Sequence, residues 1–135
     1  MSATDSTRRS TTSLSFVTAS NTLSVTITPS SASNKILIFV STSTRQDSSI
    51  IGTIYRNSTN LGSANGGMGN NGGEPDLANT AATMSINYLD SPSTTSAITY
   101  QFYFRNYQSG KTSYINNTEG NLSPLCSITC MEIKG

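Results

Sequence analysis

The sequence has no histidine and no tryptophan, and only two cysteines among its 135 residues. Histidine is the usual general base and metal ligand near neutral pH, so its absence removes most hydrolytic triads and metal-dependent schemes. Cys126 and Cys130 are four positions apart, which on a strand separates their Cα atoms by about 13 Å, beyond the reach of a disulfide. We therefore predict free thiols, no bound metal, no cofactor and no enzymatic activity.

Charge is also scarce. Charged residues make up 11% of the chain, the formal net charge is +1, and the only adjacent basic pair is Arg8 and Arg9. Nucleic acids and anionic membranes are attracted by basic fields that such a chain does not generate. There is no apolar run long enough to span a bilayer and no leader-like start. We expect no nucleic-acid partner, no membrane partner and no secretion signal.

Serine and threonine are abundant, with 24 and 20 copies. Their side chains compete for backbone hydrogen bonds in helices, so they favour strands and turns. Alternation of apolar and polar residues is clearest from Thr80 to Asn106, in two arms separated by a turn-forming linker with Pro92. We interpret this stretch as a central hairpin with one buried face per arm. The alternating apolar residues are Ala82, Met84, Ile86 and Tyr88 in the first arm, and Ile98, Tyr100, Phe102 and Phe104 in the second.

Further strand-like segments are punctuated by turns, and no helical pattern lies between them. About eight strands are predicted in all, which is typical of an antiparallel jelly roll or β-sandwich. A segment from Gly62 to Asn79 holds six of the ten glycines and is predicted to be a long surface loop. Residues Met1 to Thr12 are predicted to form a polar arm before a single domain that covers residues 13–135.

Residues Ile36 to Val40 form the only uninterrupted run of five apolar residues. In a two-sheet sandwich each strand has one core face, so the other face of this strand needs a different cover. That second face is either Leu37 with Phe39 or Ile36 with Ile38 and Val40. A neighbouring subunit and the chain's own loops are the two possible covers, and we favour the subunit. The predicted subunit interface comprises Ile36, Leu37, Ile38, Phe39 and Val40.

Few residues could carry chemistry. Glu74 and Asp76 lie in the glycine-rich segment and could form an acid/base pair or part of a calcium loop. Their spacing matches no calcium loop, so we interpret them as solvated charges. Tyr103 and Tyr107 are candidates for stacking on sugars, with packing at a sheet edge as the alternative interpretation.

Four segments together resemble a module of tailed phages that infect cyanobacteria and other aquatic bacteria. This module often forms the C-terminal head of tail fibres or other virion structural proteins. The likeness covers roughly Leu14 to Lys134. The segments are Leu23 to Ile38 (LSVTITPSSASNKILI), Tyr88 to Tyr100 (YLDSPSTTSAITY), Tyr114 to Asn116 (YIN) and Ser127 to Ile133 (SITCMEI).

The resemblance implies a location in the virion. We expect the chain to assemble as a homotrimer by burying the apolar strand surface of Ile36 to Val40 between subunits. Only a dozen polar residues precede Ser13, so the chain is more similar to a free-standing capsid decoration or cement protein than to a stalked fibre. In that role Arg8 and Arg9 would contact the major capsid protein. The alternative is a tail-fibre or receptor-binding tip that recognises host surface polysaccharide through the Gly62 to Asn79 loop, Tyr103 and Tyr107.

Overall fold

The computed structural model describes residues 1–72, 80–118 and 122–135. In these residues every regular element is a β-strand, and the strands pair antiparallel in two sheets, which confirms the predicted all-β class. The twelve strands of the described residues are β1 (Ser2–Asp5), β2 (Arg9–Thr11), β3 (Val17–Thr18), β4 (Ser24–Ile27), β5 (Lys35–Gln46), β6 (Ile50–Arg56), β7 (Thr59–Asn60), β8 (Gly69–Asn71), β9 (Thr80–Asp90), β10 (Ile98–Asn106), β11 (Ser113–Ile115) and β12 (Cys126–Ile133).

Sheet 1 is built around β5, its longest strand. One edge of β5 pairs with β9 along the whole strand, from Ile36 opposite Asp90 to Gln46 opposite Thr80. The other edge pairs first with β12 and then with β11, which follow one another along β5. Outside these lie β1, paired with β12, and β2, paired with β11. The sheet is therefore four strand positions wide.

Sheet 2 is built around β10 and β6. Seven consecutive residues of β10, from Tyr100 to Asn106, pair with β6. The opposite edge of β10 is covered by β4 and, further along, by β3. The other edge of β6 pairs with β7 and β8.

The core lies between the two sheets. Alternate residues of a strand share a face, and the apolar residues at those positions are almost fully removed from solvent. The three largest, Tyr100, Phe102 and Phe104, come from β10 at the centre of sheet 2. The other principal members are Leu23, Val25, Ile36, Ile38, Val40, Ile50, Ile54, Met84, Ile86, Ile98, Ile115, Cys126, Ile128 and Cys130.

The predicted central hairpin is wrong in its pairing. Both arms are strands with the predicted faces buried, but β9 belongs to sheet 1 and β10 to sheet 2. Residues 91–97 carry the chain across the sandwich, so the two apolar faces meet through the core instead of lying side by side. Alternation identifies the buried face of a strand, whereas it does not identify the strand's hydrogen-bonded neighbour.

Residues 1–12, which the sequence sets apart as a polar arm, supply β1 and β2 of sheet 1. The terminal ammonium of Met1 donates to the carbonyl of Cys130 at 2.8 Å, and the Cys130 amide donates back to the Met1 carbonyl at 2.8 Å. Backbone pairing of this kind needs no apolar side chains. That is why a segment so poor in apolar residues is ordered here.

A buried charged cluster fixes the point where the chain leaves β9 for sheet 2. Asp90 ends β9, and both of its carboxylate oxygens accept hydrogen bonds from Arg56 Nη1 on β6, at 3.0 and 3.1 Å. The hydroxyl of Tyr100 donates to the same carboxylate at 2.6 Å. Burial, followed by the hydrogen bond to Asp90, raises the pKa of Tyr100 far above its usual value, so the hydroxyl remains a donor. The cluster therefore ties the two sheets together at this corner.

Replacing Tyr100 by phenylalanine should lower the free energy of unfolding by about 1.5 kcal/mol, because a buried carboxylate loses one of its donors. The measurement is urea denaturation, in which the midpoint should fall with no change in slope. Tyr107→Phe is the matched control, since that side chain is 63% exposed, and it should change stability by less than about 0.5 kcal/mol. Equal midpoints for the two variants would contradict a stabilising role for the cluster.

Candidate interaction surfaces

The predicted interface run, Ile36 to Val40, is divided between two environments. Ile36, Ile38 and Val40 lie in the core between the sheets and are at most 2% exposed. These three positions are not available to another subunit while the sandwich is closed. Leu37 is half-buried and Phe39 is exposed, and both point out from sheet 1. Of the two faces that the sequence left open, the one that lies outside the core is therefore the face with Leu37 and Phe39.

Leu37 and Phe39 belong to a larger apolar patch on the outer face of sheet 1. Leu37 lies between Leu89 of β9 and Met131 of β12, so these three side chains form a row across three strands. Ile133 is two residues beyond Met131 on the same face. Leu89, Met131, Ile133 and Phe39 are 48%, 43%, 40% and 36% exposed. We call these five residues the outer patch.

Polar residues border the outer patch. Lys35 pairs with Ile133 at one end. Beyond Phe39, a band of hydroxyl side chains crosses the sheet, where Ser41 lies opposite Ser85 on one side and Ser127 on the other. At the far end, the guanidinium of Arg45 lies over the ring of Tyr114, 5.8 Å from its centroid. An apolar centre with a polar rim is the usual composition of a protein–protein interface.

The outer face of sheet 2 is different because the chain covers its β6 side, where Ile51 and Thr53 are 4% and 0% exposed. After β7 the segment from Leu61 to Met68 folds back over β6, and Met68 donates its amide to the Gly52 carbonyl at 2.9 Å. Gly67 has a φ of 57° and lies so close to the Gly52 carbonyl that a side chain would collide with it. This is the first part of the predicted glycine-rich loop. In the part of the chain that the structure describes, no segment covers the outer patch in the same way.

The predicted capsid-contact residues lie at the edge of sheet 1. Arg8 is exposed just before β2, and Arg9 Nη2 donates to Asp5 Oδ2 at 3.3 Å. Asp5 also accepts the Thr7 amide at 2.8 Å. Burial opposes the charge of Asp5, but hydrogen bonds from Ser20, Thr7 and Thr22 outweigh it and hold the pKa well below its usual range. Arg9 is therefore engaged inside the chain, where it helps to hold the connection between β1 and β2.

Asn116 also holds the connection between β1 and β2. Its side chain is fully buried, and its amide nitrogen donates to the carbonyls of Asp5 and Thr7 at 3.1 and 2.9 Å. The residue has a φ of 54°, a left-handed conformation that asparagine tolerates better than most residues. Sequence reasoning missed this role because its signal, an asparagine after a strand, is common in so polar a chain.

The predicted recognition tyrosines do not form one site. Tyr103 stacks on Tyr55, with ring centroids 4.0 Å apart, whereas Tyr107 is exposed in the turn after β10. A cleft of about 450 Å³ lies on the outer side of sheet 2 beside Tyr55, and Phe16, Asn60 and Asn65 also line it. Sequence reasoning did not single out these residues, which come from separate parts of the chain.

Arg105 contributes to the same cleft. Its guanidinium lies over the Phe16 ring at 5.5 Å and donates to the carbonyls of Leu14 and Asn65. These contacts connect the segment before β3 and the glycine-rich segment to sheet 2. The cleft thus combines aromatic rings with side-chain amides in a fixed arrangement.

Both cysteines are buried and unpaired, as predicted. Burial raises the pKa of both thiols, that of Cys130 to about 11, which keeps them protonated and poorly reactive. The described residues contain no cluster of three or more metal-ligating side chains. Glu74 and Asp76, considered above as an acid/base or calcium pair, lie outside the described residues. In the described part of the chain, no helix is long and apolar enough to cross a membrane.

Neither the known protein-family models nor the curated proteins include a match to this sequence. The resemblance to the phage module therefore remains a prediction from the four sequence segments.

Replacing Asp5 by alanine should loosen the β1 to β2 connection. Hydrogen bonds to a charged group stabilise by about 1.5 kcal/mol or more, so amide exchange in residues 2–11 should become roughly tenfold faster. Ser6→Ala, at the exposed neighbour, should leave exchange unchanged. Because the folded pKa of Asp5 is lowered, the carboxylate stabilises the connection above about pH 4, the range of an unfolded aspartate, and this contribution is lost as the pH falls through the folded value. Unaltered exchange in Asp5→Ala would contradict this role.

Proposed function

We propose that this chain is a structural protein of a phage virion, located on the head exterior as a decoration protein that binds and stabilises the shell. The outer patch carries the proposal. Four of its five residues, Leu37, Leu89, Met131 and Ile133, lie within the segments that resemble the phage module. The resemblance and the strongest candidate contact surface of the described residues therefore coincide.

The patch suits permanent assembly for physical reasons. Its side chains project from three hydrogen-bonded strands, so little conformational entropy is lost when a partner covers them. Each apolar side chain gains up to about 1.5–3 kcal/mol on full burial, and these are partly exposed in the single chain. An uncharged centre also avoids the desolvation cost of buried ions. These properties favour association with protein over catalysis.

The strand order supports the jelly-roll part of the proposal. Short strands that follow one another along a neighbour can be counted as one position, which gives eight positions in chain order. Sheet 1 then reads 1-8-3-6, from β1 with β2, through β12 with β11 and β5, to β9. Sheet 2 reads 2-7-4-5, from β4 with β3, through β10 and β6, to β7 with β8. This order across two sheets is the one expected of paired Greek keys, the arrangement of jelly rolls.

The oligomer and the capsid contact belong to the same proposal. In a homotrimer, the outer patch of each copy would lie against its neighbour in a ring closed by three copies. Arg8 and Arg9 lie on the edge of sheet 1, where Arg8 would reach acidic groups of the major capsid protein and Arg9 would have to contact them while it stays bonded to Asp5. Deleting residues 2–12 is a poor test of that contact, because it would also strip β1 and β2 from β12 and β11. A single substitution at Arg8, which is exposed and precedes β2, removes neither strand.

A second candidate function is recognition of host surface polysaccharide by a tail-fibre or receptor-binding tip. The observation that favours it is the cleft beside Tyr55. Tyr103 stacks on Tyr55 and fixes its ring, and Asn60 and Asn65 line the same cleft. A rigid aromatic ring beside side-chain amides is suited to stacking on a sugar and bonding its hydroxyls.

Leu37→Lys should abolish self-association through the outer patch and leave the subunit folded, because it places a charge at the centre of the patch row while the core face of β5 is untouched. Native mass spectrometry across a concentration series measures the assembly. Thr26→Lys is the matched control, since Thr26 is exposed on the outer face of sheet 2. Full assembly in Leu37→Lys would show that copies do not associate through the outer patch.

Gold-labelled antibody against the chain should decorate the heads of virions in electron micrographs. Labelling confined to tails would reject the head position and favour the recognition function. Particles that carry no label, although the antibody binds the purified chain, would reject a virion role altogether.

A further inference from the structure

Among the described residues, the long strand β9 has one edge that no strand pairs with. Its other edge pairs with β5 along the whole strand, and in residues 1–72, 80–118 and 122–135 no strand pairs with the outward edge. The remaining sheet edges of this described part are short. Sheet 1 ends on its other side in β1 and β2, of four and three residues, and sheet 2 ends in strands of two to four residues. β9 has eleven residues.

The hydrogen-bonding groups at this edge can be assigned from the ladder. Met1 and Cys130 exchange both of their backbone hydrogen bonds. The backbone N–H and C=O groups of the even-numbered residues of β12 therefore point toward β1. Residue pairs in an antiparallel ladder alternate between hydrogen-bonded and non-hydrogen-bonded. The backbone groups of the odd-numbered residues of β12 and β5 therefore bond each other. Those of the even-numbered residues of β5 bond the even-numbered residues of β9. The N–H and C=O groups of Ala81, Thr83, Ser85, Asn87 and Leu89 therefore point out of the open edge.

This edge lacks the usual protection against strand addition. Natural sheets protect their edges with lysine, proline, bulges or short strands. β9 contains no lysine, arginine, proline or glycine. Its one charged residue, Asp90, is buried at the end of the strand and bonded to Arg56. Five donors and five acceptors are thus presented along a strand that has no exposed charged side chain among its described residues.

We propose that β9 pairs antiparallel with β9 of a second copy, about a two-fold axis at Ser85. The sequence around Ser85 is self-complementary in this register. On the outer face, Ser85 lies opposite Ser85 of the partner subunit, and Thr83 lies opposite Asn87 of the partner subunit, so polar side chains meet polar ones. On the inner face, Met84 lies opposite Ile86 of the partner subunit, which joins the two cores. Every outward backbone group from Ala81 to Leu89 gains a partner.

The pairing fuses the two copies of sheet 1 into one continuous sheet. Because the two-fold axis is perpendicular to that sheet, both outer patches face the same side of the dimer. An isologous contact closes with two copies, whereas a trimer must use a different surface. The inference does not depend on the virion role, since it follows from the edge alone.

The test compares Ser85→Pro with Ser85→Ala by light scattering and native mass spectrometry. Proline removes an outward donor and places its ring across the edge, but it breaks no hydrogen bond to β5. Ser85→Ala retains the backbone donor and should keep the wild-type assembly. Ser85→Pro should halve the mass of that assembly. Circular dichroism of both variants confirms that the fold is retained.

Unchanged mass in Ser85→Pro, or wild-type protein that remains a single copy at all concentrations, would overturn the inference. If Leu37→Lys dissociates the assembly and Ser85→Pro does not, association uses the outer patch, and the proposed function survives without the edge contact. Amide exchange on the wild-type chain gives an answer that needs no variant. The amides of Thr83, Ser85 and Asn87 should become protected as concentration rises, and exchange that is independent of concentration would also overturn the inference.

Discussion

The fold depends on the hydrogen-bonded ladder of β5 with β9 on one side and β12 and β11 on the other. This ladder fixes the phase of β5, and the phase sends Ile36, Ile38 and Val40 into the core. Leu37 and Phe39 must then face outward, beside the outward residues of β9 and β12. A shift of one residue would exchange the two sets, so core packing and the outer patch are consequences of one register. β1 and β2 in turn are held by their hydrogen bonds to β12 and β11.

Buried polar side chains perform a second task, which is to fix the connections between strands. Asp90, Asn106 and Asn116 are all buried next to a strand end. Asn106 ends β10 and donates to the carbonyls of Gln108 and Lys111, both at 2.6 Å, while its oxygen accepts from Ser113 at 3.0 Å. Asp90 and Asn106 bond groups on the far side of a crossing between the sheets, whereas Asn116 bonds the connection between β1 and β2 within sheet 1. This gives a structural purpose to part of the unusually polar composition.

The sequence allowed several features to be predicted. The alternation over residues 80–106 identified two strands and their buried faces, and the run from Ile36 to Val40 predicted a strand with apolar residues on both sides. The phase of that run could not be predicted, because the following residues, Ser41 to Thr44, are alternately serine and threonine and favour neither face. The partners of β9 and β10 were also beyond reach, since side-chain period carries no information on which strand lies alongside. Strands of two or three residues, such as β3 and β7, are too short to show a period at all.

The candidate surfaces were likewise predicted only in part from the sequence. The outer patch was half predicted, through Leu37 and Phe39, but Leu89, Met131 and Ile133 join it only because register places them alongside. Arg9 looked like a free basic residue and is bonded to Asp5, and the aromatic cleft draws on Phe16, Tyr55 and Arg105 from distant parts of the chain. The described residues leave an apolar patch uncovered on the outer face of sheet 1, whereas they cover the β6 side of the outer face of sheet 2.

The most direct measurement of that claim is the oxidation rate of Met131 in the assembled protein. Met131 is at the edge of the outer patch, and Met1, which is 71% exposed, provides an internal reference. If other protein covers the outer patch, Met131 should oxidise more slowly in concentrated or particle-bound protein than in dilute protein, with Met1 unchanged. The same Met131 rate in all three states would contradict the central claim.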